Sequence, residues 1–74
     1  MNVTIELDRD VDGRWFADVP ELPGAMVYGQ TRDEAIKAAK VLVLQVLADR
    51  LAHQELPADF AGVLFAPPVD VPSE

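Results

Sequence analysis

Three carboxylates on predicted strands are the residues whose types and spacing come nearest to metal-ion chemistry. Glu6 and Asp8 alternate with apolar residues on the first strand, and Asp18 is expected to share their sheet face from the second. Two-metal hydrolysis of a phosphodiester needs several carboxylates around Mg²⁺ ions about 4 Å apart. No groove of Lys and Arg residues accompanies them to hold a nucleic-acid backbone. We therefore expect neither a metal site nor nuclease activity here.

Other catalytic arrangements lack their partner residues. His53 is the only histidine and the chain has no cysteine, so neither a second histidine nor a thiolate is present to complete a zinc site. Thr4 and Thr31 have no neighbouring base to activate a hydroxyl nucleophile. Gly24 and Gly29 bracket a strand and do not form a phosphate-binding loop. We expect no enzyme activity, no catalytic residue and no cofactor.

Charge indicates the kind of partner. Thirteen acidic and six basic residues give the 74-residue chain a net charge of −7. This field repels nucleic acids, which are bound largely through Lys and Arg contacts to phosphates, and attracts basic proteins. The longest apolar run, Val41–Leu44, is far shorter than the roughly 20 residues that cross a bilayer, and no signal peptide opens the chain. We expect a cytoplasmic protein that contacts no membrane.

Three strands are predicted in the first thirty residues. Residues 2–8 alternate between apolar and polar types, which is typical of a half-buried strand. An Asp-Gly pair at residues 12–13 suits a hairpin turn into a second strand over residues 14–19. A Pro-x-x-Pro-Gly corner over residues 20–24 then redirects the chain into a short third strand over residues 25–29.

The second strand divides its side chains between the two faces of the sheet. Trp15, Ala17 and Val19 share a wholly apolar face, and we assign them to the core. Phe16 is left on the opposite face, which is unusual for a large aromatic side chain. The outer face is expected to carry the following residues: Glu6, Asp8, Phe16 and Asp18.

A single helix is predicted over residues 32–53. It begins at a Thr-x-x-Glu capping box at residues 31–34, which satisfies backbone amides at the helix start. Residues 62–66 form a short fourth strand, and residues 67–74 form a proline-rich acidic tail. The order β-β-β-α-β predicts an α+β domain over residues 1–66, with a three-stranded antiparallel sheet covered by the helix.

The helix carries a second apolar patch beside its core stripe. Val41, Leu44 and Ala48 follow a spacing of i, i+3 and i+7 and fall on the side away from the expected sheet contact. A lone helix over one sheet buries only one stripe. We therefore interpret these three residues as a self-association surface, which would make the protein a homodimer or a larger homo-oligomer.

Several motifs together resemble one protein family. They are DGRWFADVPELPG at residues 12–24, YGQTRDEA at residues 28–35 and VLADRL at residues 46–51. This chain resembles the N-terminal domain of the HicB antitoxins over about residues 3–55. The resemblance implies a partial RNase H-like fold and a partner, HicA, which is a small basic RNA-cleaving toxin. The antitoxins of this family inhibit the toxin by masking its active surface.

The resemblance stops short of the DNA-binding element found in many HicB proteins. The residues after the fourth strand form only the short acidic tail, so we expect no direct DNA binding. On the antitoxin interpretation, Glu6, Asp8, Phe16 and Asp18 contact the toxin, with Phe16 as the apolar anchor and the acids as steering charges. The sequence does not distinguish which surface binds the toxin and which self-associates. The alternatives are a stand-alone homo-oligomer without a toxin and an RNase H-like, metal-dependent nuclease.

Overall fold

The computed structural model describes residues 1–71, and the last three residues of the predicted tail, 72–74, lie outside the described residues. The described part contains one helix and six short strands. They are β1 (Asn2–Val3), β2 (Glu6–Arg9), β3 (Trp15–Asp18), β4 (Met26–Gly29), α1 (Arg32–Ala52), β5 (Leu64–Phe65) and β6 (Val69–Asp70). This architecture confirms the predicted α+β class.

The main sheet has four strands in the order β4-β3-β2-β6. Strands β2, β3 and β4 are antiparallel neighbours, which confirms the predicted three-stranded antiparallel unit. The Asp-Gly turn joins β2 to β3, and Gly13 adopts the positive φ of 88° that this turn requires. The predicted single strand over residues 2–8 is divided into β1 and β2. Strand β1 pairs with β5, whereas β2 pairs with β3 and β6.

The C-terminal segment, residues 64–71, runs parallel to residues 1–7, which include β1 and the start of β2. Its backbone amides donate to carbonyl oxygens of residues 1–7 in four hydrogen bonds: Leu64 to Met1, Ala66 to Val3, Val69 to Ile5 and Val71 to Leu7, at 2.7–2.9 Å. The sequence predicted a fourth strand at residues 62–66 but not β6, which lies within the predicted tail. Two consecutive prolines at residues 67–68 separate β5 from β6, because proline has no amide hydrogen for a ladder.

The core lies between the sheet and one stripe of α1. Val3, Ile5 and Leu7 have no exposed surface, which confirms the alternation predicted for the first strand. The helix covers this face with four buried residues spaced by four positions: Ala35, Ala39, Val43 and Leu47. Two of these are alanines, so the helix approaches the sheet closely at its N-terminal half.

The capping box predicted at the helix start is present in full. The Thr31 Oγ1 atom accepts the backbone N–H of Glu34 at 3.1 Å. In return, the Glu34 carboxylate accepts the N–H groups of Gln30 and Thr31 at 2.9 and 3.1 Å. An ion pair between Arg32 and Asp70, with its shorter contact at 2.9 Å, then joins the first turn of α1 to β6.

A second polar contact holds the corner between β3 and β4. The Glu21 carboxylate accepts the backbone N–H of Thr4 at 3.1 Å, and this hydrogen bond lowers the pKa of Glu21 below its ordinary value of 4.5. Leu22 is buried beneath the same corner. The ionised Glu21 carboxylate therefore holds the corner against the connection between β1 and β2.

We expect the contribution of Glu21 to stability to depend on pH. Because its pKa is lower in the folded than in the unfolded protein, the stabilisation is complete above pH 4.5 and is lost as the pH falls through the folded pKa. Glu21→Gln should therefore lower the urea midpoint at pH 7, and the difference from the parent chain should disappear at strongly acidic pH. Circular dichroism at both pH values measures this, and an equal difference at both would contradict the assignment.

Candidate protein-binding face

The outer face of the sheet brings together all four residues that the sequence assigned to a partner. Asp8 lies directly opposite Phe16 across the β2–β3 ladder, and Glu6 lies directly opposite Asp18. Directly opposite side chains on one face have their Cβ atoms about 5 Å apart. The four side chains line a small depression of about 110 Å³ together with Leu7 and Val71. The placement of Phe16 beside the acids is thus as predicted.

Apolar side chains extend this face toward both of its edges. On one side, Tyr28 lies opposite Phe16 and Met26 lies opposite Asp18, and the Phe16 and Tyr28 ring centroids are 6.0 Å apart. On the other side, Val69 lies opposite Glu6. Met26, Tyr28 and Val69 each expose nearly half of their surface. The face is therefore a band of acids and one central aromatic ring, bordered by exposed apolar groups.

These bordering residues were not among those predicted from the sequence to contact a partner. Residues 25–29 were predicted as a strand, so alternation alone would have placed Met26 and Tyr28 on one face of it. Val69 and Val71 carried no such signal, because neither β6 nor its pairing with β2 was predicted.

The carboxylates on this face have no cationic partner among residues 1–71. Across residues 1–71, no Lys, Arg or His nitrogen lies within 4.0 Å of a carboxylate oxygen of Glu6, Asp8 or Asp18. Asp8 accepts one hydrogen bond, from the backbone N–H of Arg9 at 2.7 Å. Three negative charges are therefore available to a ligand from outside the molecule.

Arg14 lies close to this face, but its charge is already engaged. Its guanidinium contacts Asp10 at 3.3 Å and Asp12 at 3.0 Å, and its carbon lies 4.6 Å from the Tyr28 ring centroid. The Arg14 backbone N–H also donates to Asp12, and this bond is the main reason that the pKa of Asp12 is lowered. Asp10, Asp12 and Arg14 together keep a single negative charge, so the three outer-face acids are the larger anionic group on this surface.

The carboxylates do not converge in the way a metal centre requires. Among the described residues, no group of three or more His, Cys, Asp or Glu side chains is arranged to hold a metal ion. Glu6, Asp8 and Asp18 are instead distributed over two strands with Phe16 among them. What this arrangement offers chemically is an anionic contact surface with an apolar centre.

The helix patch predicted for self-association is exposed. Val41 and Leu44 expose 46% and 51% of their surface, and Ala48 is also exposed. Val41 in addition lines an open groove of about 810 Å³ between α1 and β4, whereas Leu44 and Ala48 do not line it. The role of the three residues in self-association stays a prediction. Within residues 1–71, no helix is long and apolar enough to cross a membrane.

Comparison with known proteins gives one curated relative. The chain is 32% identical to the UPF0150 protein Ta0767 of Thermoplasma acidophilum over 62 residues, which cover 82% of this chain and 90% of the relative. No protein-family model matches the chain. No solved structure matches it either.

Proposed function

This chain belongs to the UPF0150 family, and we propose that it acts as a HicB-like antitoxin that binds and neutralises a small basic, RNA-cleaving toxin of the HicA type. The proposal is supported by the HicB-like motifs in the sequence and, above all, by the unpaired acids around Phe16 on the outer sheet face. A non-catalytic role follows from this proposal, because inhibition requires only that the toxin's active surface be covered.

The two kinds of side chain on this face have different tasks in the proposed complex. Glu6, Asp8 and Asp18 attract a basic partner over a distance and raise the association rate. Phe16, in the middle of the acids, supplies an apolar anchor that slows dissociation once it is desolvated. The toxin's own Lys and Arg residues, which it needs to hold RNA, would pair with the acids. Binding and inhibition then use the same surface of the toxin.

The first experiment is co-expression with the neighbouring gene. If that gene encodes a small basic protein that arrests growth, this chain should restore growth and co-purify with it. The absence of any such neighbour, or failure to restore growth, contradicts the antitoxin proposal.

Charge neutralisation of the face should slow association with that toxin. We expect Glu6→Gln, Asp8→Asn and Asp18→Asn together to reduce the association rate constant by roughly tenfold at low salt and to weaken its salt dependence. These substitutions preserve side-chain shape, so the fold should be retained. Stopped-flow or surface plasmon resonance at two salt concentrations provides the measurement.

The matched control removes the same three charges elsewhere. The control variant carries Asp49→Asn, Glu55→Gln and Asp59→Asn, which are at exposed positions outside the outer face. Their association rate should change much less. An equal loss in both triple variants would mean that only net charge matters and that the toxin binds elsewhere.

A second candidate, a stand-alone homo-oligomer without a toxin, is favoured by a different observation. Val41 and Leu44 place two large apolar side chains on the exposed side of α1. Self-association does not compete with toxin binding, because it uses another surface. Only the co-expression experiment separates a protein with a toxin from one without.

A further inference from the structure

Strand β4 leaves one edge of the sheet unpaired. The strand order ends at β4, and no segment of residues 1–71 pairs with its outer side. Val19 donates its N–H to the carbonyl of Ala25 at 3.1 Å, just before β4 begins. Because hydrogen bonding alternates along an antiparallel pair, the N–H groups of Met26 and Tyr28 point away from β3. An open edge of this kind is a template for another strand.

A largely apolar groove runs along this edge between β4 and α1, and it reaches Tyr28 at the border of the outer face. Val27 lines it from β4, and Ala38, Val41 and Leu42 line it from α1. The groove is open, with a volume of about 810 Å³. An incoming strand at the edge would therefore meet apolar side chains as well as backbone groups.

The position of α1 suits a second helix in this groove. The helix packs mainly over β4 and β3, close to the open edge. If two copies paired through β4, their edge strands would be about 4.8 Å apart. If each helix axis lies midway between β4 and β3, the two axes would be about 10 Å apart, at the upper end of the usual packing distance of 8–10 Å. Ala38 is small enough to allow this approach.

Charge favours a second copy as the occupant. The charged side chains that line the groove are Arg14, Glu34 and Lys37, which carry a net charge of +1 in a chain whose net charge is −7. Arg14 is paired with the hairpin acids, and Glu34 is engaged in the capping box. Glu34 is the one acid among these lining residues, so two copies meet here with fewer unpaired negative charges than at the outer face. On the outer face, by contrast, self-association would bring like charges together.

We propose that two copies of this chain pair antiparallel through β4, about a two-fold axis perpendicular to the sheet, with the two α1 helices packed along the groove. The axis gives one continuous eight-stranded sheet and places both outer faces on the same side of it. The helices lie antiparallel on the other side, so their dipoles oppose one another favourably. The dimer contact differs from the patch predicted from the sequence, because it uses Val41 but neither Leu44 nor Ala48. It does not rest on the toxin proposal, because the edge of β4 and α1 carry it; the two surfaces meet at Tyr28.

The hydrogen-bonding part of the proposal is tested at Met26. Met26→Pro removes an outward N–H that β3 does not use, and proline is tolerated at the first residue of an edge strand. The control Met26→Ala removes the same side chain but keeps the N–H. In sedimentation velocity at high micromolar concentration, the parent chain and Met26→Ala should be dimeric. Met26→Pro should raise the dimer dissociation constant by roughly tenfold or more, since each two-fold contact loses hydrogen bonds twice.

The packing part is tested on the helix with two matched substitutions. Val41→Glu places a carboxylate in the groove, whereas Leu44→Glu places one on an equally exposed position outside it. In sedimentation velocity we expect Val41→Glu to be monomeric and Leu44→Glu to be dimeric like the parent chain. Both positions are exposed, so circular dichroism should show an unchanged fold.

Three results would overturn the inference. They are a monomeric parent chain, a Met26→Pro variant that dimerises like Met26→Ala, and loss of the dimer for Leu44→Glu with none for Val41→Glu. The last result would assign self-association to the outward patch of α1 alone. None of these measurements involves a toxin, so their failure is separate from failure of the antitoxin proposal.

Discussion

Gly29→Ala is expected to lower the free energy of unfolding by about 3 kcal/mol, a large fraction of the stability of so small a domain. Gly29 ends β4 just before the helix begins. A Cβ atom there would lie 2.5 Å from the backbone N of Ala35 and 3.0 Å from its Cα. These are backbone atoms of the first helical turn, so no side-chain rotation relieves the overlap. The strand end and the helix must move apart.

That movement would disturb several interactions at once. Ala35 is fully buried, and the Glu34 carboxylate accepts the amides of Gln30 and Thr31 at the helix start. Separation of β4 from α1 exposes this core position and lengthens the cap hydrogen bonds. Urea unfolding followed by circular dichroism measures the loss. We expect a lower midpoint with little change in the slope.

Gly24→Ala is the matched control. Gly24 has a positive φ of 85°, but nothing lies within 4 Å of where its Cβ would be. The substitution should cost only the backbone strain of a left-handed non-glycine residue, about 1 kcal/mol. If Gly24→Ala destabilises the protein as much as Gly29→Ala, close contact with the helix is not what makes Gly29 sensitive.

Phe16→Ala is expected to weaken binding of the proposed toxin by roughly 30-fold, which corresponds to about 2 kcal/mol. Phe16 lies between the acids on one side and Tyr28 on the other, so a docked partner would exclude water from it. Truncation would leave a gap at the centre of the contact. Most of the change should appear in the dissociation rate, unlike the effect of neutralising the acids.

Two comparisons make this prediction specific. Tyr28→Ala removes an aromatic ring from the border of the same face and should cost less than Phe16→Ala. Val11→Ala trims a fully exposed apolar residue in the hairpin turn and should have no effect. Isothermal titration calorimetry with the purified toxin gives the three affinities. Equal losses of affinity for Phe16→Ala and Tyr28→Ala would show that Phe16 is not the main apolar contact.

The distribution of charge separates the two proposed interfaces. The outer face presents Glu6, Asp8 and Asp18 without cations, which suits a basic partner and opposes self-association. The groove beside β4 is nearly neutral and apolar, which suits a second copy. In the proposed dimer both outer faces lie on one side of a continuous sheet. Two toxin molecules would then bind side by side.

The sequence alone was enough to predict features that depend on residues close together in the chain. Alternation assigned Val3, Ile5 and Leu7 to the core and Phe16 to the outer face, because successive side chains of a strand point to opposite faces. The capping box located the start of the helix, since its hydrogen bonds join residues only three positions apart. The placement of Glu6, Asp8, Phe16 and Asp18 on one sheet face was therefore predictable without knowledge of the fold.

Only the tertiary structure decided which segments lie beside one another. Strand β6 pairs with β2 across more than sixty residues, and its two residues carry no periodic pattern of their own. The sensitivity of Gly29 likewise depends on how closely β4 approaches α1, and the groove exists only where these two elements meet. Local residue patterns determine the face on which a side chain lies. The partner across a sheet or helix contact is determined by the packing of the whole chain, and so it appears only in the folded structure.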